Sequence, residues 1–325
     1  MKRLLMLCVL LATAVTGCSQ NRFNIPAENF AERVKALGIA PIMIDADSDI
    51  KHPQKDLLIT LVTETNRKYE QQFVRKLKAT GNFYTTALLD GDPQGLFGRL
   101  LARREKRDDA TILYNKYFWK NDELRDYIRK NNLDAVMLLV VSGLTKSDKE
   151  ISYGQLKSLK TDYNYLYLTA QILDANGTIL WEYPNFRQSF PSYSPLINLE
   201  YPDFNEAEAN LTTNVIVKFK TIEGIRRTLD QKSKDYLLRE TQESVVYGKQ
   251  FDEMISLLKY DHDKEKKGSV PVTETPRPQQ PAAPPAATNP GVQSPAPEVP
   301  EVTRVPVLEK PANPDEIVPA KGSTL

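Results

Sequence analysis

The chain is poor in the residues that most often carry chemistry: 325 residues include only 2 His and 2 Cys. So little His leaves scant material for a His-based metal centre. An excess of either charge is missing as well, since 43 Lys plus Arg stand against 42 Asp plus Glu. That balance argues against a globally basic nucleic-acid binder and against an acidic solvating chain. Walker, dinucleotide-binding, zinc-protease and nucleophile-elbow motifs are all lacking, and there is no internal repeat. No cofactor is expected.

What is present begins with a leader. Lys2 and Arg3 precede an apolar run at residues 4–15, too short to span a bilayer and matched to a secretory signal over residues 1–17. Val15-Thr16-Gly17-Cys18 then resembles the lipobox of bacterial lipoproteins. The resemblance implies cleavage before Cys18 and acylation of that residue. Ser19 in place of Asp implies, under the same family's sorting rule, delivery to the outer membrane. Cys8 leaves with the leader and Cys18 carries lipid, so the mature chain has no thiol left for a disulfide. Stability must come from an apolar core.

Residues 269–325 are a different polymer: they hold 14 of the 22 prolines and none of the 28 aromatics. Such a stretch buries too little apolar area to offset its ordering entropy, so residues 263–325 are expected to form a disordered, Pro-rich tail. A flexible chain of that length has an end-to-end distance of about 40 Å, enough to reach toward the cell wall.

Between leader and tail, residues 18–38 read as the lipidated start plus a short helix over 27–37. Residues 39–262 read as one mixed α/β domain. Its first strand is expected at 39–45, broken by Pro41, and a long helix follows Pro53, with Leu58, Leu61, Val62, Tyr69, Phe73 and Leu77 at helical spacing. A second strand is expected at 82–89, a helix capped by Asn121 at 121–130, and a buried central strand at 135–141. Residues 162–172 alternate, Leu166, Leu168, Ala170 and Ile172 against Tyr163, Tyr165 and Tyr167. Asp174-Ala175-Asn176-Gly177 then turns the chain into a strand at 178–183. Residues 205–260 read as mostly helical, with a break at 231–233. The fold class is therefore α/β (α+β), a mixed sheet covered by helices.

Three stretches carry a resemblance of their own. Residues 77–83 (Leu-Lys-Ala-Thr-Gly-Asn-Phe), 133–138 (Leu-Asp-Ala-Val-Met-Leu) and 173–181 (Leu-Asp-Ala-Asn-Gly-Thr-Ile-Leu-Trp) resemble the envelope domains of curli-secretion lipoproteins, penicillin-binding-protein activator lipoproteins and the TolB amino-terminal domain. The likeness covers about residues 39–184 and implies a fold and a role in envelope assembly, by contact with a protein partner or by self-association. Two departures stand out. Only about 20 residues separate Cys18 from the first strand, so the domain sits close to its membrane. Only one long alternating segment is visible, where a channel subunit needs further hairpins of about 10 alternating residues per strand.

Candidate chemistry is sparse. Asp45, Asp47, Asp49 and Asp56 have partial calcium-loop spacing, yet Ile50 stands where such a loop needs Gly, so a polar loop is expected and no metal site. His52 and His262 are expected at the surface and form no triad. Leu96, Phe97, Leu100 and Leu101 read as one helical face, with Arg99, Arg103, Arg104, Lys106 and Arg107 beside it. That pattern is read either as a membrane-surface helix or as a core-packed helix with a solvated basic face. Export to the envelope excludes nucleic acid. Residues 183–204 hold six aromatics, among them Phe186, Phe190, Tyr193 and Tyr201. They are read either as anchors for a protein partner or as a strap over the sheet's edge. The expectation is a non-catalytic binding and assembly lipoprotein on the periplasmic side of the outer membrane. A secretion-channel subunit is the alternative, and an envelope enzyme ranks third.

Overall fold

The computed structural model describes residues 21–259 except 153, 155, 156, 190 and 235–238. The chain divides into Met1–Gly268, which holds the fold, and Ser269–Leu325. The Pro-rich tail, the leader, Cys18 and His262 lie outside the described residues.

Seven strands form one mixed sheet. They are β1 (Ala36–Ile39), β2 (Met43–Asp45), β3 (Thr85–Leu88), β6 (Ala135–Ile151), β7 (Ser158–Asp174), β8 (Ile179–Tyr183) and β9 (Ile197–Asn198). The spatial order is β3-β1-β6-β7-β8, with β2 also on β6 and β9 also on β7. Pairings among β3, β1, β2 and β6 are parallel, and those of β6 with β7 and of β7 with β8 and β9 are antiparallel. A separate hairpin, β4 (Leu101–Asp109) with β5 (Ile112–Trp119), packs on the sheet.

The central run at 135–141 is apolar on both sides because both faces of the sheet are covered. Met137, Leu139 and Val141 of β6, with Leu166, Leu168, Ala170 and Ile172 of β7, meet α2 (Lys55–Lys78), α6 (Ile222–Leu229) and α7 (Val245–Leu257). Val136, Leu138 and Val140 face the other way, onto α3 (Pro93–Leu100), α4 (Asn121–Lys130) and β5. On the first face the rings of Tyr69 and Phe73 meet those of Tyr247 and Phe251 at 5.3 and 4.8 Å between centroids. Full burial of each such side chain contributes about 1.5–3 kcal/mol.

Several expected boundaries move. The first helix is α1 (Ala27–Arg33) and stops early because Asp134 accepts hydrogen bonds from the Lys35 and Ala36 amides, at 3.0 and 2.8 Å, which starts β1. Phe23, Phe30, Val34 and Leu37 are buried in the main core, so the domain expected from residue 39 begins at Phe23. Asn121 is the first helical residue of α4 and no side chain caps that end. The stretch expected to be helical from 205 is broken repeatedly: α5 (Phe204–Ala209), β11 (Val217–Phe219), α6, then a β12 (Lys232–Lys234)–β13 (Glu240–Ser244) hairpin and α7. Thr221 and Ser244 restart the helices by accepting from the amides of Gly224 and Tyr247.

The expected turn at 174–177 is present. Asp174 Oδ1 accepts from the amides of Asn176 and Thr178, and Gly177 adopts φ +78°. Beyond it the β6–β7 pair runs much further than the apolar pattern does, in register from Ala135↔Asp174 to Ile151↔Ser158. Its end, beyond the buried Leu144, Tyr163 and Tyr165, is a two-stranded ribbon mostly of Thr, Lys, Ser, Asp and Glu, held by backbone bonds rather than by an apolar face.

Candidate binding surfaces and the buried polar cluster

Two of the aspartates spaced around the β2–α2 loop, Asp45 and Asp49, are engaged within the chain. Asp45, with a side chain only 3% exposed, accepts hydrogen bonds from Arg104 Nη1 at 2.6 Å and the Tyr117 hydroxyl at 2.9 Å. Arg104 also donates to the Asp47 carbonyl. Burial works against the Arg104 charge, but the bond and charge of Asp45 outweigh it and leave its pKa raised. The Tyr117 hydroxyl is pushed up first by burial and then by the Asp45 charge, so it stays a neutral donor. Asp49 is spent elsewhere, its carboxylate on the Thr145 amide and its carbonyl on Asn164 Nδ2. Gly143 is required here: a Cβ on it would lie 2.5 Å from the Asp49 carbonyl oxygen. Among the described residues no three His, Cys, Asp or Glu side chains converge as a metal site.

His52 is buried rather than at the surface, because β11 covers the loop. Its Nδ1 accepts from the Gln54 amide, so Nε2 carries the hydrogen and donates to the Lys220 carbonyl at 2.9 Å. The ring edge meets Phe219. Both ring nitrogens are thereby occupied by backbone, and the imidazole pins β11 instead of serving as a base.

The basic segment is not an amphipathic helix. α3 ends at Leu100, and Arg103, Arg104, Lys106 and Arg107 lie on β4, turned back onto β5 through Ala110 and Thr111. Both turn residues have positive φ, 50° and 65°, the requirement of a type I′ hairpin. The cations are also engaged. Arg99 pairs with Glu123 and lies over the Tyr127 ring, Arg103 pairs with Glu105 and covers Phe118, Arg104 holds Asp45, and Arg107 pairs with Asp109. A membrane-facing apolar stripe flanked by these arginines does not form.

The aromatic segment is a strap. Tyr193 stacks on Tyr167 at 4.6 Å and meets Tyr183 edge-on at 5.5 Å, and Phe186 packs on Tyr114. The chain then hydrogen-bonds along β7, Leu196 N to the Leu166 carbonyl and Leu199 N to the Asn164 carbonyl. The Tyr163, Tyr165 and Tyr167 row is the surface it covers. Tyr193 and Phe186 are therefore taken up internally, and Phe190 lies outside the described residues. Among the described members of the set, Tyr201, 40% exposed on β10 (Glu200–Pro202), is the one left toward solvent.

Sequence reasoning did not single out the neighbourhood around Tyr201. Ile151 (55% exposed) ends β6, Ile216 (56%) precedes β11, and Leu211 (96%) follows α5. Glu150 accepts from Asn198 and Lys157 pairs with Glu208, which brings the ribbon's end beside α5 and β10. The signal was available only as lone apolar residues in polar stretches. A cavity of about 400 Å³ lies elsewhere, between α3 and α4, walled by Asp90, Asp92, Arg99, Asp126, Tyr127 and Lys130. It contains no Ser, Cys or His that could act as a nucleophile with its base. No protein-family model matches the chain, and no curated protein sequence matches it.

Proposed function

We propose that this chain is a lipoprotein anchored through Cys18 on the periplasmic side of the outer membrane, and that it works there as a non-catalytic binding and assembly module. The observation that carries this reading is the separation of two poles. The chain enters the domain at Asn21–Asn24, where the Asn24 amide bonds the Leu180 carbonyl at the start of β8. The β6–β7 ribbon ends at the opposite pole, the length of β7 away, which is about 50 Å for 17 residues. That far end presents Ile151, Tyr201, Leu211 and Ile216 to solvent. Large apolar side chains left exposed among charged ones at one end of a fold are the usual makings of a protein interface.

The arrangement of polar groups supports binding over catalysis, since Asp45 and His52 are both consumed by internal bonds. A channel subunit is less well supported. β4 carries Arg103, Glu105, Arg107 and Asp109 on one face and Arg104, Lys106 and Asp108 on the other. The ribbon carries Lys146, Asp148 and Glu150, whereas a lipid-facing strand alternates apolar residues outward.

The test is the mass of the full lipoprotein in mild detergent, by light scattering, beside the form starting at Ser19, followed by site-specific photo-crosslinking in cells from Ile151 and Ile216. A monomer or dimer in both forms, with crosslinks from the ribbon end that vanish in Leu211→Asp, is expected. A large discrete ring appearing only with lipid would replace the module by a channel subunit.

A further inference from the structure

We infer that the pole from which the chain enters is a docking face for an anionic membrane surface, so that the domain stands on its membrane with the β6–β7 ribbon pointing away. This rests on the anchored reading above and adds an orientation to it.

The pole is defined by bonds. At the amino-terminal ends of the parallel strands, the Thr85 amide bonds the Lys35 carbonyl and the Asp134 amide bonds the Ala36 carbonyl. The end of α7 closes on the same place, where Asn82 Nδ2 donates to the Leu258 carbonyl at 2.9 Å and Arg22 Nη1 to the Ser256 carbonyl at 2.6 Å. The described chain therefore begins and ends at this pole, at Asn21, three residues after the acylated Cys18, and at Lys259.

The surface suits headgroups. Tyr84 is 93% exposed directly before β3, an amphipathic aromatic of the kind that settles at membrane–water interfaces. Lys35, Arg75, Lys78 and Lys259 surround this pole, exposed and, among the described residues, without an ion pair. The carboxylates nearby are largely committed: Asp174 to Arg33, Asp252 to Lys76, and Asp134 to two backbone amides. Glu28 and Glu32 of α1 remain as the opposing charges. The charge-rich β4, by contrast, neutralises its arginines locally. Each free cation near an anionic leaflet strengthens association about fivefold, an effect that decays within a Debye length.

The experiment uses the full lipidated chain carrying Tyr84→Cys, labelled with a fluorophore, on vesicles whose acyl chains bear bromine quenchers. Ser158→Cys labels the far pole as the control. Vesicles of phosphatidylcholine alone are compared with vesicles also containing phosphatidylglycerol. Quenching at position 84 on the anionic vesicles, lost at high salt and absent at 158, is the expected result. Lys35→Gln with Lys78→Gln should lower the docked-to-undocked ratio about 25-fold. Equal quenching at 84 on both vesicle types, or equal quenching at 84 and 158, overturns the docking face while leaving the anchor intact. Intact mass separates the two claims: a chain without acyl groups sinks the anchored reading. Flotation of that chain with the anionic vesicles then decides docking on its own, and failure to float overturns it.

Discussion

Tyr193 lies stacked on Tyr167, 4.6 Å between ring centroids and 27° between planes, while its hydroxyl is buried without a hydrogen-bonding partner. The pair joins the strap to the second face of the sheet. Burial, followed by the neighbouring tyrosines, raises the Tyr193 pKa well above its ordinary value, so the hydroxyl is neutral throughout the working range. Removing the ring by Tyr193→Ala should cost about 3–5 kcal/mol, whereas Tyr193→Phe should be neutral or stabilising, because a buried unpaired hydroxyl is a desolvation penalty. Urea melts of the three proteins check this. Tyr193→Ala with unchanged stability would mean that the strap is loosely held and free for a partner after all.

The Asp45–Arg104 pair is asymmetric, the carboxylate 3% and the guanidinium side chain 31% exposed. Breaking a buried pair from one side strands the other charge, at about 3–5 kcal/mol when both partners are buried. Partial exposure of Arg104 lowers that toward about 2 kcal/mol for Arg104→Met. Adding Asp45→Asn removes the stranded charge while keeping an acceptor for Tyr117, so the double variant should recover part of the loss. A double variant that is additively worse would show that Asp45 has another partner of equal weight.

The hairpin turn Ala110–Thr111 explains why this part of the fold was hidden in the sequence. Two-residue hairpins announce themselves through Asn-Gly or Asp-Gly, and here an Ala and a β-branched Thr occupy both left-handed positions. The Leu96, Phe97, Leu100 spacing is truly helical but stops at Leu100, and the arginines that seemed to continue the helix belong to β4. By contrast, the central apolar run, the tyrosine–leucine alternation and the 174–177 turn were legible, because each expresses burial or turn geometry locally. The candidate surface was the least legible part. Exposure of Ile151, Leu211 and Ile216 depends on which segments cover which, and no local pattern encodes that. The sequence left Tyr193 open between a partner anchor and an internal strap for the same reason, since aromatic content marks an interface without saying whether the other side lies within the chain.

Because a non-Gly residue in the left-handed region costs about 1–2 kcal/mol, replacing Ala110-Thr111 by Asn-Gly should stabilise the protein by about that amount. Thermal melts test the gain. A loss of stability would mean that the side chain of Thr111 makes contacts that outweigh its backbone strain.

Glu70 supplies a pH dependence with a definite sign. Its carboxylate accepts from the Ile42 amide at 2.8 Å, fixing α2 to the segment between β1 and β2. Burial raises its pKa above the ordinary 4.5, and the Ile42 bond and the Arg67 charge only partly offset this. A carboxyl whose folded pKa is raised binds its proton more tightly in the native state. Its contribution to stability is therefore greatest below 4.5 and is lost as pH rises from 4.5 through the folded value. Glu70→Gln keeps the acceptor oxygen without the buried charge, so the variant should be more stable than the wild type at pH 7 and should lack this term in its stability–pH curve. The comparison is the difference between the two proteins in urea midpoint from pH 4 to pH 8, which should widen with pH. A difference that stays flat would mean that Glu70 titrates alike in the folded and unfolded chains.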